Sequence, residues 1–290
     1  MFDCRISFRY SKLQRAAGLK AMKIGPQARK LSAISSSNAD TIVVRGRDLC
    51  SDLIGKVTFT DHAWLLVTGE LPSAEQRRIL DAALVAIAEH GLVPSVAAAR
   101  MTLAAAPEAL QAAVAAGILG CGSVILGSAE AAGRFFAASL DRSGSRDAPS
   151  AVQAALVEAR EARRAVPGYG HPLHKRADPR VARLLAVATD TGLAGRHVEV
   201  ARLVENRLPE ITGKPLVMNV SGAIAAVMLD AGFPLLAVKG VPILARTASL
   251  IAHLLEEQER PIGFILADAG SSSIGYDGSS PAGFVPGSGC

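Results

Sequence analysis

Apolar residues along this chain recur at helical spacing and almost nowhere alternate. Between Ser73 and Glu89, the residues Ile79, Leu80, Ala83, Leu84 and Ile87 fall on one face, and Ser73 with Glu75 and Gln76 forms an N-terminal capping signal. Further helices are expected from Pro107, carrying Leu110, Val114 and Ile118, and over 149–164, with Arg160, Arg163 and Arg164 where cations suit the dipole. Others are expected from Pro179 to about Ala188 and over about 221–231, stopped by Gly232 and Pro234. The last is expected from Val241 to Gln258. Only Asp40–Arg45 reads as a strand. Half the 290 residues are apolar, 4% are aromatic and alanine is abundant, which suits closely packed helices rather than a β-sandwich. The expected fold class is all-α, in a chain long enough for one large core or two moderate ones.

The formal charge of +5 is unevenly spread. Residues 1–39 carry eight Lys/Arg and one acid, whereas the remainder carries 23 basic and 25 acidic residues, a net of −2. A nearly neutral body argues against nucleic acid as a partner. The basic arm is acid-poor and has no apolar secretory core, which leaves an organellar transit peptide or a disordered extension with Met22 as another start. The extension is the expectation. Residues 269–290, rich in Gly, Ser and Pro, read as a disordered tail. Cys4, Cys50, Cys121 and Cys290 lack metal spacing, as expected of reduced thiols in a cytoplasmic protein. Residues 109–129 are uncharged over 21 positions, a transmembrane length, but are broken by Gly117, Gly120, Gly122, Ser123, Gly127 and Ser128. A buried core helix is expected there, and no membrane partner.

The chemistry is concentrated in Pro167–Arg180. Pro172 and Pro179 restrict its backbone, and a Gly-Tyr-Gly turn presents His171 beside Lys175, Arg176 and Arg180, cations suited to carboxylate or phosphate. The run Pro167-Gly168-Tyr169-Gly170-His171, followed by Asp178-Pro179-Arg180, resembles the second histidine loop of citrate synthases. Upstream, Arg45-Gly46-Arg47-Asp48-Leu49 and Leu65–Pro72 look like the first helices of that superfamily. Glu89-His90-Gly91 with Ser95 matches its first histidine turn. Downstream, Asn219-Val220 through Gly232-Phe233-Pro234 resembles its third active-site segment. Leu244-Ala245-Arg246-Thr247, Ile251-Ala252-His253 and Glu259-Arg260-Pro261 resemble its late arginine helix and Arg-Pro strand. The resemblance covers roughly residues 43 to 262. It implies a large helical domain from 40–127 and 230–268, a small one from 128–229, and a site in the cleft between them that closes on substrate.

Two positions depart from the pattern. Leu126 stands where the superfamily places a catalytic histidine, and Ser221 where it places a catalytic aspartate. Leucine exchanges no proton, and a serine hydroxyl is a poor base without an activating neighbour. These departures, with the Gly170-His171-Pro172-Leu173-His174-Lys175 run, resemble short bacterial members described as citryl-CoA lyases. The resemblance implies that His171 acts on the substrate oxygen, polarising a carbonyl in condensation and taking up the hydroxyl proton in cleavage. It implies that His90 binds the oxo acid or its hydroxyl precursor, and that Arg180, Arg246 and Arg260 hold carboxylates, Arg260 across a dimer interface. Lys175 would meet coenzyme A phosphate, with help from Arg176. His174 is a candidate for the relocated acid, and Ser221 or Ser128 for positioning a water. His62, His197 and His253 read as ordinary structural histidines.

Condensation must first deprotonate a weakly acidic thioester methyl, a step that a general base speeds by roughly 10²–10⁴-fold. Cleavage of a 3-hydroxyacyl-CoA begins instead at the hydroxyl. The retained groups therefore fit a carbon–carbon lyase that splits citryl-CoA, or a related 3-hydroxyacyl-CoA, into acetyl-CoA and oxaloacetate or another 2-oxo acid. The alternatives are a citrate or 2-methylcitrate synthase and a non-catalytic binder of CoA esters. Coenzyme A is expected as part of the thioester substrate beside a di- or tricarboxylate. No permanent cofactor and no metal are expected, and the assembly expected is a homodimer.

Overall fold

A computed structural model describes residues 31–122, 126, 128–143, 147–171 and 173–283. The basic arm to residue 30, Cys4, Ser123, Ile125, Gly127, Pro172 and residues 284–290 with Cys290 lie outside the described residues. The chain forms two compact units that meet in sequence at Pro72 and Ser73.

In the first unit, β1 (Ser35–Ser37), β2 (Ile42–Val44) and β3 (Arg47–Asp48) pair antiparallel in that order. Arg45 and Gly46 both have positive φ, 49° and 80°, as a two-residue hairpin between β2 and β3 requires. This corrects the expectation of a helix at Arg45–Leu49, since the Arg-Gly pair is a turn signal. Asp48 accepts hydrogen bonds from Cys50 N and Ser51 N and so caps a π-helical turn, Leu49–Leu53. Helix α1 (Phe59–Thr68) follows a Thr58/Asp61 capping box and stops at left-handed Gly69. Val44, Leu53 and Leu65 form the small core.

The second unit is all helical: α2 (Ala74–Ala88), α3 (Pro94–Ala105), α4 (Leu110–Leu119), α5 (Ser128–Ser143), α6 (Ala148–Glu161), α7 (Pro179–Asp190), α8 (Arg196–Thr212), α9 (Val220–Asp230), α10 (Gly240–Glu259) and α11 (Gly263–Ser273). Most bounds follow sequence punctuation, including the Ser73/Gln76 capping box of α2 and the Asp178 cap and N1 proline of α7. Pro107 does not open α4. It lies in the turn after α3, where Ala109 N bonds Ala106 O, and the helix starts at Leu110. The helix expected over 149–164 ends at Glu161. Helix α11 was not expected, and residues 269–273 of the anticipated tail complete it.

Helix α9 is the pivot, buried at every residue from Val220 to Met228 and packed against α2, α5, α7 and α8. Helix α10 packs on α2, α3 and α4, and Val96, Ala99, Leu103, Ala113, Leu250 and Leu254 form a core there. A Cβ on Gly117 would lie 2.7 Å from Leu250 Cδ1, so only glycine lets α4 approach α10 this closely. With its preceding turn, α10 is long and apolar enough to cross a membrane, but it packs here on three helices and carries a buried arginine. A buried cluster fastens its C-terminal end. Arg100 bonds Glu257 (2.6 Å), Glu256 (2.7 Å) and Arg260 O (3.0 Å), and Glu257 accepts Ile262 N and Gly263 N. Removing one member of such a buried pair costs about 3–5 kcal/mol.

Candidate active site

The His171 loop is held by backbone chemistry. Gly168 (φ 88°) and Gly170 (φ 82°) take left-handed conformations that a side chain would strain. Between them Tyr169 bridges to Met218 and buries its hydroxyl, which donates to Ala201 O at 2.6 Å. Gly170 N bonds Val217 O, Asn219 N bonds Gly168 O, and Asn219 Nδ2 bonds Gly170 O, all at 2.7–2.9 Å. Asn219 Oδ1 also caps α9 through Ser221 N and Gly222 N. A Cβ on Gly222 would lie 2.6 Å from Gly168 O, so the loop and α9 touch only because both positions are glycine.

Three histidines converge from this loop and the end of α2. Ring centroids of His171 and His174 are 4.5 Å apart, and His90 lies 5.5 Å from His171 and 5.8 Å from His174. His171 Nδ1 accepts hydrogen bonds from Leu173 N and His174 N, both at 3.1 Å. The neutral ring therefore carries its proton on Nε2 and presents a donor. Burial, then the neighbouring His174 and Arg180, hold its pKa below 6.5, so it is neutral at pH 7. A ring protonated on Nε2 polarises and stabilises a substrate oxygen, whereas the expected uptake of a hydroxyl proton would need Nε2 free of its own. The same tautomer bears on metal binding. The three side chains offer nitrogens within 4.8 Å of one another, yet His171 has no free lone pair for an ion at Nε2.

Cations surround this cluster. Arg180, in the first turn of α7, donates to Asp178 through Nε (2.9 Å) and Nη2 (2.8 Å). Asp178 also accepts Val220 N at 3.1 Å and so joins α7 to α9. Although burial alone would raise the Asp178 pKa, Arg180 and the backbone donors hold it below the ordinary value. Arg246 on α10 is 2% exposed. Its Nη2 bonds Ile87 O at 3.4 Å, but Nε and Nη1 are buried with no hydrogen-bond partner among the described residues. Burial lowers its pKa, Glu89 and Cys121 pull it back up, and Arg180 nearby lowers it further. Lys175 and Arg176 are exposed, and Lys175 lines with His171, His174 and Pro215–Val217 a cleft of about 280 Å³. Arg260 is exposed at the far end of α10, 14 residues and about 21 Å along the axis from Arg246.

The two departing positions are also placed. Leu126 is buried and has φ 66°, an uncommon conformation for leucine that costs about 1–2 kcal/mol. Ser221 is buried in the first turn of α9 and Ser128 opens α5. Cys121 is a buried thiol whose pKa is raised by burial.

His90, His171, His174, Arg180 and Arg246 are thus brought together, with Lys175 at the rim and Ser221 on the helix that holds the loop. Arg260 is not placed beside Arg246 within one chain. Two participants carried no expected role. Asp178 orients Arg180, and Glu89 ties the His90 turn to α10 through Ser249 and His253. The Asp-Pro-Arg spacing signalled the first. The second rests on partners 160 and 164 positions away.

The arrangement suits a polyanion with a reactive oxygen: a neutral imidazole N–H on a loop fixed by backbone bonds, Arg180 close to it, and a buried Arg246 4.0 Å from Glu89 of the His90 turn. The citrate synthase C-terminal domain profile matches residues 74–263. The structure of citryl-CoA lyase from Hydrogenobacter thermophilus superposes with a TM-score of 0.78 and 33% identity, over 89% of this chain and 98% of that one. A mutant ATP citrate lyase of Methanosaeta concilii in complex with (3S)-citryl-CoA matches in fold at TM-score 0.71 and 20% identity, over 93% of this chain and 44% of that one. The Thermoplasma acidophilum citrate synthase, in complex with carboxymethyl coenzyme A and oxaloacetate, gives a TM-score of 0.62 at 20% identity, over 79% of this chain and 59% of that one. Among curated protein sequences none matches significantly. A profile spanning most of the second unit, and a relative matched along nearly its whole length, place this chain in the citrate synthase family.

Proposed function

We propose that the chain is a carbon–carbon lyase that cleaves citryl-CoA, or a related 3-hydroxyacyl-CoA, to acetyl-CoA and oxaloacetate or a related 2-oxo acid. The observation that carries this reading is the buried guanidinium of Arg246, whose Nε and Nη1 have no hydrogen-bond partner among the described residues and whose Nη1 lies 4.0 Å from Glu89 of the His90 turn, in a chain whose 33%-identical relative is a citryl-CoA lyase. Arg246 Nε and Nη1 take a substrate carboxylate, and the free side of Arg180 and His90 hold the rest of the oxo-acid half.

His171 donates Nε2–H to the C3 oxygen and stabilises charge as the hydroxyl becomes a carbonyl. His174, whose ring stands beside it in the cleft, takes the hydroxyl proton. The carbon–carbon bond breaks, its electron pair forms the thioester enolate, and His174 returns that proton to the carbon that becomes the methyl of acetyl-CoA. One imidazole thereby closes the proton count, and no base is needed at Leu126 or Ser221. Ser221 contributes its hydroxyl to the pocket wall, and Lys175 with Arg176 meets the phosphates of coenzyme A.

The working form is a homodimer. Ile251 and Leu255 on α10 and Phe264 and Ile265 on α11 are 50–70% exposed, large apolar side chains flanking Arg260 in sequence. Arg260 then serves the partner's site, which accounts for its distance from Arg246. The test is to incubate purified protein with (3S)-citryl-CoA and follow oxaloacetate by a coupled reduction. Enzyme-dependent oxaloacetate supports the lyase. Citrate from acetyl-CoA and oxaloacetate without cleavage would make it a synthase, and tight binding without turnover a silent binder.

A further inference from the structure

Arg246, Ser249 and His253 occupy positions i, i+3 and i+7 of α10 and form one stripe along it. Glu89, the C-cap of α2, meets that stripe. Its Oε2 accepts from the Ser249 hydroxyl and pairs with His253 Nε2 at 3.0 Å. Its Oε1 accepts the backbone N–H groups of His90 (2.9 Å) and Gly91, whose φ of 72° turns the chain there. One carboxylate thus closes the turn that presents the His90 ring and bolts it to the helix that presents Arg246. The Arg246 Nη1 is 4.0 Å from Glu89 Oε2, close enough for attraction but too far for a hydrogen bond. The buried cation is partly balanced while Nε and Nη1 have no hydrogen-bond partner among the described residues.

We infer that Glu89 is a positioning residue for the oxo-acid half of the substrate: it sets His90 against Arg246 and leaves the arginine donors open to an incoming carboxylate. Its hydrogen bonds from Ser249, Gly91 and His253 outweigh the upward pull of burial and keep the carboxyl ionised, as this arrangement needs. Glu89 touches no substrate in this reading and acts through His90 and Arg246. The inference rests on the lyase reading for its kinetic arm only.

Glu89→Gln keeps an oxygen for the two backbone N–H groups but loses the acceptor for Ser249 and His253. Ser249→Ala cuts the same tie from the α10 side with Glu89 in place. In the ligand-free protein, the long-range ¹H–¹⁵N imidazole spectrum is expected to show the His90 signals shifted or broadened in both variants, with those of His62 and His197 unmoved. In citryl-CoA cleavage, both variants should raise KM about tenfold for Glu89→Gln and less for Ser249→Ala, with kcat within about threefold, because the lost positioning serves ground and transition state alike. The double variant should be no worse than Glu89→Gln alone, since both remove one interaction. Unmoved His90 signals, or losses that multiply in the double variant, would overturn the inference. If Glu89→Gln does not fold, Ser249→Ala and His253→Gln carry the test. If the wild type cleaves nothing, the lyase reading fails and the imidazole spectrum decides the role of Glu89 by itself.

Discussion

Replacing Arg246 with Met should make the empty protein more stable while removing its substrate affinity. Two charged donors of this side chain, Nε and Nη1, are buried without hydrogen-bond partners among the described residues. Each buried donor left unmade costs about 1–3 kcal/mol, so together they load the fold by about 2–6 kcal/mol. The long Nη2 bond to Ile87 O, and the attraction to a half-exposed Glu89 at 4.0 Å, offset about 1 kcal/mol each at most. Methionine keeps most of the aliphatic packing of the arginine stem. A net gain of about 2 kcal/mol corresponds to a rise in melting temperature of about 3 °C for a chain of this size. On binding, two charge-assisted bonds to a carboxylate are lost, each worth about 1.5–3 kcal/mol, which raises KM for citryl-CoA by about 10²–10⁴-fold. The assay is a thermal melt with and without oxaloacetate, run beside cleavage kinetics. Wild type should gain stability from oxaloacetate and the variant should not. A variant that melts lower than wild type and keeps its KM would show that Arg246 is a structural cation, and the reasoning would fail.

Asp178→Asn removes the charge that orients Arg180 and weakens the link to Val220, so it should cost about 2–4 kcal/mol and lower cleavage with it. Denaturant unfolding checks the first and kinetics the second. His171, held below 6.5 by burial and cationic neighbours, binds its proton more readily unfolded than folded. Its contribution to stability is therefore complete above 6.5 and lost as pH falls through that value toward the folded pKa. Because the donor must be neutral, the acid limb of kcat/KM should fall below 6.5, and a limb above neutrality contradicts the assignment. Gly222→Ala drives a Cβ to 2.6 Å from Gly168 O and should displace the His171 loop, at about 1–3 kcal/mol and a large loss of activity. For the proposed homodimer, Phe264→Asp and Ile265→Asp should shift sedimentation toward the monomer, and unchanged sedimentation of the two variants would count against α10 and α11 as the interface.

Much of this architecture was legible because its signals are local. The Ser73–Gln76 box, the Asp178-Pro179 start of α7 and the Gly232-Pro234 stop are statements about backbone groups within four residues of each other. The histidine cluster was legible only by resemblance. Nothing within the sequence near His90 says that a loop 80 residues later places two imidazoles within 6 Å of it. Helix α11 was missed because Gly263, Gly270 and three serines mimic a loop. It forms because the buried Arg100–Glu257 cluster supplies partners for its first N–H groups, Ile262 and Gly263 among them. The hairpin at Arg45–Gly46 was read as helical although its Arg-Gly pair carries the positive φ angles of a tight turn. The tautomer of His171 also lay out of reach, since it depends on two backbone N–H groups folding back under the ring.

The most direct test of the central claim is a single turnover of (3S)-citryl-CoA with enzyme in excess, quenched and read by mass spectrometry, for wild type and His174→Gln side by side. The account predicts equimolar acetyl-CoA and oxaloacetate from wild type, and cleavage slower by about 10²-fold or more in the variant. Intact thioester after prolonged incubation of wild type, or equal rates in the two proteins, would contradict it.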